Sequence, residues 1–102
     1  MKTFVDYRGR RIRLEDERLS HIVQHREMAK MELALEKTLL EPEQVIQSKS
    51  DETAELYYSY QKETLFGDKW LCVVVKFTDS PFVLTAYLTD AIKKGKELWR
   101  KK

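Results

Sequence analysis

Trp70-Leu71-Cys72-Val73-Val74-Val75 is a run of six apolar residues closed by Lys76. Such a run is too short for an isolated helix, and its valines favour extended backbone, so it reads as a central strand covered on both faces. Gly67-Asp68 supplies the turn before it. Upstream, Ala54–Lys62 alternates, with Leu56, Tyr58 and Tyr60 on one face and Glu55, Tyr57 and Ser59 on the other. Val45–Lys49 reads as a short strand, joined to it by a turn at residues 50–53. Downstream, Asp79-Ser80-Pro81 turns the chain into Phe82–Leu88, with Phe82, Leu84, Ala86 and Leu88 on one side. Thr85 and Tyr87 then point to the other.

The amino-terminal part has a different period. Gly9 separates Thr3–Asp6 from Arg11–Leu14, the pattern of a small hairpin. From Glu15, Leu19, Ile22 and Val23 form one helical stripe, and Met28, Met31, Leu35 and Leu39 another, which predicts helices over 15–24 and 28–40. Pro42 closes the second. Thr89-Asp90 resembles a helix cap, and Gly95 ends the turn that follows. Helices followed by consecutive strands predict an α+β domain, an antiparallel meander with helices on one face, spanning residues 1–102 as one unit.

The chain has 102 residues, 42% hydrophobic and 35% charged, which suits one solvated globular domain. Three glycines spell neither a dinucleotide fingerprint nor a phosphate-binding P-loop. One cysteine and two histidines fall short of a zinc set, so the expectation is chemistry with no metal and no cofactor. No apolar stretch of signal-peptide or membrane-spanning character is present, and the expected setting is the cytoplasm, without a membrane partner. Net charge is +2, unevenly distributed: residues 31–64 carry −5 and the flanks +7. Arginines 8, 10, 11 and 13 bunch near the start, and Lys93, Lys94, Lys96, Arg100, Lys101 and Lys102 near the end. A fold joining those ends would create a basic face.

His21 and His25 stand four apart, on one face of a continuous helix. Imidazole is the side chain suited to acid–base work near neutral pH, although surface histidines at a helix end are common. Lys76 could stabilise the charge of a pentavalent phosphorane, or simply end its strand with the ammonium in water. Thr85 and Tyr87 could donate two hydrogen bonds from one strand face. Tyr57, Tyr58 and Tyr60 offer rings for base stacking, with at least one of them needed by the core. Arg11, Arg13, Lys93 and Lys94 could neutralise phosphates, as could any solvated charge run. Cys72, inside the apolar strand, reads as inert packing.

The ordered segments ArgLeuSerHisIleValGlnHisArgGluMet (18–28), ThrLeuLeuGluProGluGlnVal (38–45), GluLeuTyrTyrSerTyr (55–60), TrpLeuCysValValValLys (70–76) and ValLeuThrAlaTyrLeuThrAsp (83–90) resemble a bacterial and phage-associated family. It is the nuclease-like group gathered under the barnase, EndoU, colicin-D and RelE fold. One departure is Arg26, where the family pattern has proline. The resemblance implies amino-terminal helices on a four- to five-stranded antiparallel sheet and a metal-independent endoribonuclease of toxin or phage-conflict type, leaving a 2′,3′-cyclic phosphate. His21 or His25 would be general base or acid, Lys76 the phosphate stabiliser, and Thr85 and Tyr87 the positioning donors. Arg11, Arg13, Tyr58, Lys93 and Lys94 would bind RNA, and an antitoxin or immunity protein would be a partner. A catalytically inactive module that binds RNA or a protein is the alternative, and a homodimer joined through a sheet edge is a third.

Overall fold

The strands follow from alternation and turn chemistry, and the helices from their apolar stripes. In the computed structural model, which describes all 102 residues, β1 (Lys2–Val5) and β2 (Arg11–Leu14) precede α1 (Asp16–Gln24), a 3₁₀ turn (Arg26–Met28) and α2 (Glu32–Leu40). Then come β3 (Gln44–Gln47), β4 (Ala54–Thr64), β5 (Gly67–Lys76), β6 (Phe82–Thr89) and β7 (Lys96–Arg100). The strands make one seven-stranded sheet in the order β1-β2-β6-β5-β4-β3-β7, with β5 at its middle. No helix is long and apolar enough to cross a membrane.

The expected four- to five-stranded antiparallel sheet under a helical layer is therefore corrected to a seven-stranded mixed sheet carrying two short helices. Both additions lie at the chain ends. The carboxy-terminal segment pairs with β3, Val45 opposite Trp99 and Gln44 opposite Arg100. Two apolar residues among lysines give no legible alternation, yet the free edge of β3 offers them backbone partners. At the other end β2 meets β6 in parallel through a single pairing, Arg13 with Phe82.

Three local expectations also change. Residues 28–31 are not α-helical: after the extended His25 (φ −68°, ψ 128°) the 3₁₀ turn tucks Met28 into the core, and α2 begins only at Glu32. In β6 a bulge falls at Leu84, because Thr85 pairs with Val74 whereas Val83 pairs with Val75. The extra residue breaks strict alternation, so Val83 and Ala86 are buried and Leu84 is exposed. Residues 90–95 form no helical turn; they cross the sheet as an irregular strap.

One sheet face carries Val45, Tyr57, Leu71, Val73, Val75, Val83 and Ala86, which pack with Ile22, Met28, Leu35 and Leu39 into the main core. Each fully buried aliphatic side chain there contributes about 1.5–3 kcal/mol by leaving water. The amino-terminal hairpin lies on the same face. Its turn has Gly9 at φ 79°, and Asp6 reaches the sheet through Tyr57 Oη (2.6 Å). Arg10 bonds Asp6 Oδ2 (2.9 Å) and Glu55 Oε1 (3.0 Å), with its guanidinium 4.4 Å from the centroid of Phe77. The Tyr7 ring packs, tilted by 43°, at 5.0 Å from Trp99 of β7, bringing the two ends of the chain together.

Candidate functional site

The opposite face is the one left for a ligand. Strand register puts Leu56, Tyr58 and Tyr60 of β4 on it, beside Val74, Cys72 and Trp70 of β5 and Thr85, Tyr87 and Thr89 of β6. Its middle is closed by a smaller apolar cluster of Ile46, Ala54, Leu56, Tyr58, Cys72 and Val74, against which Trp70, Tyr87 and Ile92 pack. The strap, residues 90–95, covers this cluster on its way from β6 to β7. Lys93 N–H donates to Tyr58 Oη (3.1 Å), and Gly95 passes so close to β3 that a Cβ there would lie 2.5 Å from the Gln47 carbonyl oxygen. Glycine is required at that position for space, not for its torsion angle.

On one side of the strap lies a cleft of about 520 Å³, walled by Ser48–Asp51, Leu84, Thr85, Tyr87, Lys93 and Lys94. Lys49, Lys93 and Lys94 make no ion pair, whereas Asp51 is bonded by Lys76 and by the Thr53 hydroxyl (2.6 Å). The Lys76 bond and the two from Thr53 hold the Asp51 carboxyl down at about 2. One neutralised carboxylate among three free ammonium groups makes this an anion-attracting cleft. Lys93 Nζ also stands 5.8 Å from the centre of the Tyr87 ring.

Beyond Leu84 a second cleft of about 700 Å³ is lined by Glu15, Glu17, Arg18, Ser20, His21 and Gln24. Arg18 Nη1 donates to the Leu84 carbonyl (3.1 Å), tying α1 to the bulge of β6. Arg18 and His21 are three residues apart and so lie on one side of α1. Leu84 walls both clefts.

The five residues expected to act together are thus distributed. Thr85 and Tyr87 share the cationic cleft, and His21 lines the adjoining one. His25 caps the carboxyl end of α1, its ring 5.7 Å from that of His21 and its Nδ1 3.9 Å from Glu27, and it lines neither cleft. Lys76 is held by Asp51 at the end of the cationic cleft. Tyr87 presents its ring, because its hydroxyl is buried without a hydrogen-bond partner and burial, then the neighbouring Cys72, push the phenol up. Burial likewise pushes the Cys72 thiol up, which leaves it unreactive packing.

Of the expected RNA-binding groups, Lys93 and Lys94 line the cationic cleft, and Arg11 is exposed on β2. Arg13 is engaged by Glu15 (2.5 Å) and the Ser80 carbonyl (2.9 Å). Tyr58 is wholly buried and offers no ring to a base. The reading from sequence did not single out Lys49 or Leu84. Lys49 lies in a polar loop, and the bulge that exposes Leu84 depends on how β6 pairs with β5. No protein-family model, curated protein or solved structure matches the chain.

Proposed function

We propose that the protein is a metal-independent endoribonuclease whose substrate phosphate lies at the rim formed by Leu84, between His21 and the cationic cleft. The observation that carries the reading is this shared wall, with an imidazole on one side and Thr85, Lys93 and Lys94 on the other. His21 takes the proton from a ribose 2′-hydroxyl as O2′ attacks phosphorus. The P–O5′ bond then breaks, the 5′-oxygen takes its proton from water, and a 2′,3′-cyclic phosphate remains. Lys93 and the Thr85 hydroxyl hold the phosphoryl oxygens as negative charge builds on them. The resemblance of the ordered segments to the nuclease-like family implies the same chemistry.

The test is incubation of end-labelled RNA with the protein in the presence of a chelator. Cyclic-phosphate ends that form in chelator and fall about 10²–10⁴-fold in His21→Ala support the reading. Intact RNA across structured and unstructured substrates overturns it. Two observations favour a second reading, a non-catalytic RNA-binding module: only one imidazole stands at the rim, and Lys76 is occupied by Asp51. That reading predicts retention of intact RNA that weakens steeply with salt.

A further inference from the structure

Across the strap from the cationic cleft, the same sheet face carries Trp70 in a third pocket with Arg100, Lys101 and Lys102. Trp70 is half-buried, pairs across the sheet with Tyr60 and meets its ring edge-on at 5.0 Å, while Tyr60 keeps 40% exposure. Glu43 lines this pocket too with a carboxylate that has no ion-pair partner, and the other charges around it are held by neighbours. Glu97 is bonded by Gln44 (2.6 Å) and Arg100 (2.7 Å), and Glu43 accepts the Tyr60 backbone N–H (2.5 Å). Lys69 is paired with Asp90. Lys101 and Lys102 have no ion-pair partner, so an indole surface is left beside two free ammonium groups.

We infer that Trp70, Lys101 and Lys102 form a second subsite for single-stranded RNA, in which a base stacks on the indole and the lysines hold the adjoining phosphates. This rests on the RNA-directed reading above and extends it to a longer substrate. Four residues of β5 separate Val74, the partner of Thr85, from Trp70, or roughly 13 Å at about 3.3 Å per residue. Between the two sites the strap exposes Lys93 and Lys94, so a chain crossing it stays against positive charge. Aromatic stacking accepts any base, and the subsite would contribute length preference without sequence preference.

The test uses the full chain with Trp99→Phe, leaving Trp70 as the one indole reporter. It is titrated with a two-nucleotide and an eight-nucleotide RNA whose 2′-oxygens are methylated, so that neither is cleaved. The inference expects the octamer to quench Trp70 emission and to bind about ten-fold or more tighter than the dimer, a gain Trp70→Ala removes. Lys101→Gln with Lys102→Gln, a surface change that leaves the fold intact, should flatten the octamer's salt dependence by about 0.7 in log–log slope per lost phosphate contact. Octamer binding that leaves Trp70 emission unchanged and ignores both lysines overturns the subsite while leaving the RNA reading standing. Failure of both oligonucleotides to bind, with no cleavage of unmodified RNA, overturns the two together.

Discussion

Tyr57 Oη donates a 2.6 Å hydrogen bond to Asp6 Oδ2, joining β4 to the amino-terminal hairpin across 51 residues of chain. Both residues are buried, and the same carboxylate accepts from the backbone N–H of Arg8 (3.0 Å) and Arg10 (2.8 Å) and from Arg10 Nε (2.9 Å). A hairpin of two four-residue strands with one parallel pairing to β6 has little sheet of its own, so this polar knot fixes where it lies.

Tyr57→Phe removes one donor from a buried carboxylate and keeps the ring. The expected cost is about 1–3 kcal/mol, read as a lower urea midpoint with an unchanged slope. The hairpin should also loosen before the rest, seen as faster amide exchange at Asp6 and Gly9, whose N–H groups bond within the turn.

Acid should act on the same knot. Burial pushes the Asp6 carboxyl up, but its bonds from Tyr57 and Arg10 outweigh burial and hold it below the ordinary range. A carboxyl depressed in the folded state stabilises the fold fully above its unfolded value of about 3.9, and that contribution is lost as pH falls through the folded value. Thermal midpoints should therefore be flat near neutrality and fall below about pH 4, and Asp6→Asn should start lower with a shallower acid limb. Parallel acid limbs for parent and variant would rule Asp6 out as the source.

Gly95→Ala tests the strap. Its new methyl would meet the Gln47 carbonyl oxygen at 2.5 Å and Ile46 Cγ2 at 2.6 Å, backbone and core atoms with little room to yield. The expected cost is about 1–3 kcal/mol by denaturant titration, the usual range for overpacking. Because the displaced strap carries Lys93, RNA affinity should fall too, whereas Gly9→Ala at the far turn should leave it unchanged.

The two histidines should separate. His21→Ala should lose the bulk of RNA cleavage, and His25→Ala, outside both clefts, should keep its rate within about two-fold, far short of the 10²–10⁴ that an acid or base supplies. Lys76→Ala leaves the Asp51 carboxylate unpaired beside Lys49, Lys93 and Lys94, so it should raise the concentration needed for half-maximal cleavage while leaving the saturated single-turnover rate near that of the parent. Single-turnover rates at saturating enzyme decide it, and equal losses for His21→Ala and His25→Ala would remove His21 from its assigned place.

Much of the sheet was legible because its strands are locally encoded. Val73 to Val75 can only be extended and buried, and the alternation of Leu56, Tyr58 and Tyr60 against Tyr57 sorts β4 onto the correct faces. Where local signal was weak the reading failed: β7 holds two apolar residues among three charged ones, and residues 28–31 have helical spacing but spend Met28 on a turn. The site was legible only as residue types. Thr85 and Lys93 line one cleft through a strap that resembles a helix cap in sequence, and Tyr58 lost its expected stacking role because that strap buries it.

Sequence by itself determined a central valine-rich strand, an amino-terminal hairpin and basic ends, all consequences of side-chain period, turn chemistry and charge within a few residues. Only the tertiary structure decided which of those charges are free. Arg10, Arg13 and Lys76 are spent on Asp6, Glu15 and Asp51, while Lys49, Lys93 and Lys94 remain unpaired beside the strap, and Lys101 and Lys102 remain unpaired at the end of β7. Pairing of charges far apart in sequence depends on how strands and loops are stacked, so the nearly neutral net charge of the chain says nothing of a cationic cleft.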